Sequence, residues 1–149
     1  MTRTILSIYL DASVVASVAL IEPGWERVIG SLGNQDGIRW SDYGHGEVVS
    51  AIASRTRAQS MGAEGSVRTI AALDILALDW QRVLIESRDI DEAIDLVAKV
   101  TLNLRLPYAI HIAVARRIGA TLVTNDRQQY RAARALGPSA INPLEQSPT

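Results

Sequence analysis

Cysteine is absent from the 149 residues, so disulfides and thiolate metal sites are excluded at the outset. Phenylalanine is absent too, and aromatics make only 5% of the chain, so the core has to be packed with aliphatic side chains. No apolar run approaches the ~20 residues of a membrane span. The apolar stretch that follows Arg3 is broken at once by Asp11, too early for the apolar core of a signal peptide, so a cytoplasmic location is the expectation. Lys and Arg number 15 against 16 Asp and Glu. That balance argues against a broad basic coat for nucleic acid but leaves room for local phosphate contacts at an enzyme site. What is present is ordinary for a globular chain: 48% apolar and 21% charged residues, at a length that suits one domain over 1–149 with a frayed tail from about Pro143.

Along the chain, strand-like and helix-like segments alternate. Ile5 to Leu10 reads as a strand buried on both faces, and Asp11 or Ser13 can cap a helix over Val14 to Leu20. Trp25 to Leu32 predicts a short helix, followed by a loop from Gly33 to Gly37 and a strand at Ile38 to Trp40. Ser41 or Asp42 caps a long helix with an apolar stripe of Val48, Val49, Ile52 and Ala53. Helices are expected over Ala63 to Leu76, Asp89 to Val100, Pro107 to Ile118 and Gln128 to Leu136, the third stopped by Gly119. Arg82 to Ile85, Thr121 to Thr124 and Ala140 to Ile141 supply further strands. Such alternation implies right-handed βαβ units. The expected fold is α/β, a three-layer α/β/α sandwich around a mostly parallel sheet of four or five strands.

In sheets of that kind functional groups collect beyond the carboxyl ends of the strands. Asp11 and Asp126 each follow a predicted strand there, and Glu47 lies about one turn into the helix after the second strand. Three carboxylates converging from distant parts of the chain would suit Mg²⁺ or Mn²⁺, which activates water and offsets charge on a phosphodiester. Each also has a plainer explanation: Asp11 as a helix cap, Glu47 on a solvated helix face, Asp126 closing a turn. His111 reads as a hydrogen-bonded core histidine, and His45 has no assigned function. Trp25, Trp40 and Trp80 read as packing or dimer contacts. Arg116, Arg117 and Arg127 are candidates to meet the phosphates of such a substrate, with Arg127 beside Asp126 the best placed and the other two equally well explained as a solvated helix end. The turn LDASVVASV lacks a dinucleotide fingerprint and a phosphate loop, and no G-x-S-x-G element is present.

The segments IYLDASVVASVAL, SDYGHGEVVSAIASR, LPYAIHIAVARRIGATLVTND and AARALG resemble, in order and spacing, PIN domains of the VapC type. The resemblance covers nearly the whole chain and is least distinctive from Ala63 to Val100. It implies a PIN-like sandwich, Mg²⁺- or Mn²⁺-dependent endoribonuclease activity, a homodimer, and a cognate VapB-type antitoxin that places a basic residue near the acidic crevice. Asp11, Glu47 and Asp126 match the family's first, second and last acids; Ser13 and Thr124 match its supporting hydroxyls. The family's third acid is replaced by Tyr108, and the neighbours Arg105, Leu106, Pro107 and Ala109 offer no substitute. A neutral phenol is a poor Mg²⁺ ligand. Asp42, at the start of the Glu47 helix, is the one acid placed to approach instead, with a helix cap as its equal alternative. Two functional expectations follow. One is a toxin that cleaves RNA. The other is a PIN-like protein weakened in catalysis at Tyr108, acting by binding antitoxin or RNA. The helices Ala63 to Leu76 and Val48 to Ala53 are the expected dimer surfaces.

Overall fold

The computed structural model describes residues 7–33, 37–58, 62–137 and 139–145. Strands β1 (Ile8–Leu10), β2 (Ile38–Ser41), β3 (Gln81–Val83), β4 (Thr121–Val123) and β5 (Ala140–Ile141) form an all-parallel sheet in the order β3-β2-β1-β4-β5. The helices are α1 (Ala12–Ala19), α2 (Trp25–Leu32), α3 (Asp42–Arg57), α4 (Ala63–Leu76), α5 (Ser87–Ala98), α6 (Leu106–Ile118) and α7 (Arg127–Ala135).

The period-two geometry of the central strands divides the core in two. Ile8, Leu10 and Val123 pack with α1 to α4, whereas Tyr9 and Leu122 face α5, α6 and α7. The expected three-layer sandwich is therefore present, with all five strands parallel. Half of the apolar stripe of α3 is spent in this core: Val48 and Ile52 are fully buried, and Val49 and Ala53 remain partly exposed. On α4 only Leu73 is buried, while Val67 and Ile75 stay about 70% exposed. Trp40 packs edge-on against Trp80, their ring centroids 5.6 Å apart, and His45 lies against its other side, so these rings serve packing.

Several boundaries differ from the sequence expectation. Residues 5 and 6 of the first expected strand lie outside the described residues. The third strand is Gln81–Val83, not Arg82 to Ile85, because the Ile85 amide leaves the ladder and donates to Asp42 Oδ1 at 3.0 Å. Helix α5 begins at Ser87, two residues early, since the Asp89 carboxylate turns back to accept from the Glu86 amide at 2.8 Å. It ends at Ala98, and a single 3-10 turn, Val100–Leu102, follows. Asn142 and Pro143 are buried, not frayed, and the Asn142 side chain accepts from the Leu144 amide; residues 146–149 lie outside the described part. No helix among the described residues is long and apolar enough to cross a membrane.

Between α1 and α2 the chain carries a local strain. Ile21 has φ +51° and is 69% exposed, a left-handed conformation that costs a β-branched residue roughly 1–2 kcal/mol and returns little burial. Ile21→Gly is expected to raise unfolding stability by about 1 kcal/mol in urea titration; a lower midpoint at unchanged slope would refute the strain.

Candidate active site

The strand order reverses between β1 and β4, and the chain leaves these strands toward opposite faces, opening a crevice beyond their carboxyl ends. Asp11 follows β1 directly and caps α1. Its Oδ1 accepts from Val14 N at 3.1 Å and from Ser13 Oγ at 2.7 Å, and its Oδ2 accepts from Thr124 Oγ1 at 2.7 Å. Only 2% of Asp11 is exposed. Burial pushes its carboxyl above the usual range, and the charge of His111 and the three donors only partly offset this. None of the ion pairs among the described residues involves Asp11.

A cleft of about 230 Å³ opens in front of it, lined by Asp11, Ser13, Glu47, Tyr108, His111 and three alanines. Glu47 sits on α3, one turn past the Ser41 cap, and reaches His111 Nε2 with Oε1 at 2.5 Å. His111 is buried and hydrogen-bonded, as its apolar helix predicts. Its other nitrogen, Nδ1, meets the Tyr9 hydroxyl at 2.7 Å, and that hydroxyl lies 2.9 Å from Ser41 Oγ.

Asp126 does not line the cleft. It caps α7 by accepting from Gln129 N at 2.8 Å. Its charge is still felt there: after burial, Asp126 is the main influence that raises the Tyr108 phenol, with Asp11 and Glu47 adding to it and Arg105 opposing. Tyr108 therefore stays neutral and remains a hydrogen-bond donor at neutral pH. Thr124 joins the two sides. Its hydroxyl accepts from the Asp126 amide at 3.0 Å and can offer its one proton to Asp11 Oδ2 or to Gln129 Oε1, each 2.7 Å away. Asp42 is occupied elsewhere, between the amides of Tyr43 and Ile85, and supplies no substitute for the missing acid. Arg116 is paired with Glu92, and Arg117 with Asp89 and Glu86, whereas Arg127 is exposed at the first position of α7.

Among the described residues, no three His, Asp or Glu side chains form a group arranged to hold a metal ion. The donors present nevertheless fit a hard cation of the Mg²⁺ kind, which keeps several waters and binds through one or two carboxylates together with substrate phosphate. Asp11 supplies a desolvated carboxylate that pairs with no Lys or Arg among the described residues, and Glu47 supplies a second across the same cleft.

Sequence reasoning missed Tyr9 and Gln129, and saw Ser41 only as a helix cap. A tyrosine in a strand otherwise made of Ile and Leu was the available signal, because a buried hydroxyl requires a partner.

The fold resembles several solved structures. FitAcB of Neisseria gonorrhoeae aligns at TM-score 0.72 and 15% identity over 93% of this chain and 99% of that one. The DNA-bound VapBC of Salmonella typhimurium aligns at 0.69 and 13% over 91% and 97%. VapC20 of Mycobacterium tuberculosis, a sarcin-ricin loop cleaving toxin, aligns at 0.68 and 16% over 91% and 99%. No curated protein matches by sequence. The PIN domain family model matches residues 8–135, and with the parallel sheet and its acidic crevice in place the chain belongs to the PIN domain family.

Proposed function

We propose that this protein is the toxin of a VapBC-type toxin–antitoxin pair, a cytoplasmic endoribonuclease that cleaves RNA phosphodiester bonds with Mg²⁺ or Mn²⁺. The observation that carries the reading is Asp11: a carboxylate buried at the switch point of the sheet, paired with no Lys or Arg among the described residues and open to a cleft shared with Glu47. Burying such a charge is costly unless something compensates it. The family and the likeness to toxin–antitoxin structures support the same reading.

In this reading Asp11 and Glu47 hold the cation, and Asp126 adds negative charge from the rim. When bound, the ion supplies Lewis-acid stabilisation and a more acidic water. Ser13 and Thr124 orient Asp11 by donating to it. The neutral Tyr108 phenol donates a hydrogen bond to a phosphate oxygen, and Arg127 offers a positive charge to the RNA backbone. The partners are RNA, a VapB-type antitoxin with a basic residue for the acidic cleft, and a second copy of the chain meeting it through the exposed apolar side of α4.

A mixed RNA pool is expected to be cut with Mn²⁺ and left intact in EDTA. Tyr108→Asp restores a third carboxylate beside Asp11 and Glu47 and is expected to raise the rate at limiting Mn²⁺ by about tenfold. Tyr108 in the cleft also favours a second reading, a PIN domain that binds without efficient cleavage. Cutting by Tyr108→Asp and not by the natural chain selects that second reading. Cutting by neither refutes the nuclease assignment.

A further inference from the structure

The geometry points to His111 as the positioning residue for Glu47, held in turn by the Tyr9 hydroxyl and Ser41. The inference rests on Glu47 acting as a cation ligand in the proposed nuclease.

Glu47 is about one-third exposed on a helix, a setting in which a carboxylate samples several rotamers. Here one oxygen, Oε1, is committed to His111 Nε2, and no described residue hydrogen-bonds Oε2. A carboxylate only accepts, so Nε2 carries the proton. His111 cannot swing away to follow Glu47, because Nδ1 is fixed to Tyr9 in the fully buried core. Tyr9 is fixed by Ser41, and Ser41 by the Gly44 amide at 2.9 Å, the bond that caps α3. The helix bearing Glu47 is thus anchored directly to the Ser41 hydroxyl, and the ring that orients Glu47 is anchored to it through Tyr9. Gly44 makes room for this: a Cβ there would stand 3.3 Å from both His111 Cε1 and Ser41 Oγ.

The chain of hydrogen bonds closes in two ways. Ser41 can donate to Tyr9 and Tyr9 to Nδ1, or Nδ1 can donate to Tyr9 and Tyr9 to Ser41. Nε2 donates to Glu47 in both, so the carboxylate keeps one oxygen on the protein and the other turned to the cleft whichever arrangement holds. Groups behind a ligand that fix its orientation typically contribute 10–100-fold in metal affinity.

The test is calorimetric titration of MnCl₂ into the full chain and its His111→Ala, His111→Gln and Tyr9→Phe variants, without RNA. Glutamine keeps a donor near the place of Nε2, so His111→Gln is expected to bind Mn²⁺ within about threefold of the natural chain, and His111→Ala at least about tenfold more weakly. Tyr9→Phe removes one atom that touches neither Glu47 nor the cleft, and is expected to weaken binding by about three- to tenfold. A purely structural hydroxyl would lower the melting temperature and leave Mn²⁺ affinity unchanged. Equal affinity in folded Tyr9→Phe and His111→Ala overturns the inference alone. Failure of the natural chain to take up Mn²⁺ overturns the proposed metal site together with it.

Discussion

Asp11→Asn is expected to lose RNA cleavage by on the order of 10³-fold while melting at a higher temperature than the natural protein in EDTA. The two effects share one cause. The carboxylate is buried with no Lys or Arg among the described residues paired to it, and His111 offsets the burial only in part, so its negative charge is a cost to the empty protein and the reason a cation would bind. Asparagine is nearly isosteric, remains a good helix cap toward Val14 N, and needs only hydroxyl rotations of Ser13 and Thr124. Removing the charge is expected to add about 1 kcal/mol to stability near pH 7. The folded-state pKa of Asp11 lies above its unfolded value, so the native state binds the proton more tightly. The natural protein therefore gains stability from this group as pH falls through the raised pKa toward ~3.9, and loses it as pH rises. The advantage of the asparagine variant should accordingly be largest at neutral pH and shrink on acidification. Paired melts at pH 7 and pH 4.5 in EDTA read this directly. An asparagine variant that cleaves as well as the natural chain would remove Asp11 from the mechanism. One that melts lower at pH 7 would show that the buried charge is compensated after all.

The largest loss of stability is expected at Arg117. Its guanidinium donates to Asp89 from Nε and Nη2 at 2.7 and 3.0 Å, to Glu86 at 3.2 Å, and to the Leu84 carbonyl at 3.0 Å. One side chain of α6 thereby ties down the segment that joins β3 to α5. Asp89 is 1% exposed and, among the described residues, accepts one further bond, from the Glu86 amide. Arg117→Met preserves most of the apolar packing but strands that carboxylate, at a cost of about 3–5 kcal/mol. The neighbouring pair provides the control. Arg116 and Glu92 are more than a third exposed, so Arg116→Met is expected to cost under about 1 kcal/mol. Urea unfolding of the two variants checks the contrast, and equal midpoints would mean that the Arg117 network contributes no more than a surface pair.

What could be read from the sequence was whatever depends on near neighbours. The two-sided burial of β1, the cap at Ser41 and the left-handed stop at Gly119 (φ +65°) all follow from local chemistry, and each stands in the structure. The misplacement of β3 has the opposite origin. Leu84 and Ile85 look like strand residues, but the ladder ends at Val83 because Asp42, 43 positions earlier, captures the Ile85 amide. At the site, the proximity of Asp11 and Glu47 followed from topology, whereas the bond from Tyr9 to His111 spans 102 positions and no spacing rule reaches it. Asp126 stood in the right motif, yet its carboxylate is turned to its own helix end, a choice made by Gln129 N.

The strand order also sets when the crevice comes into existence during synthesis. β1 is made first but sits between β2 and β4, and its register with β4 pairs Leu10 with Val123. Contacts so distant along the chain form late, after the entropy of closing a long loop has been met. A ribosome-bound chain shorter than about 120 residues has neither the ladder that completes the central sheet nor the Thr124 hydroxyl that holds Asp11. The acidic site therefore forms only once the chain through Thr124 is available, and a nascent fragment that stops short of it lacks the site.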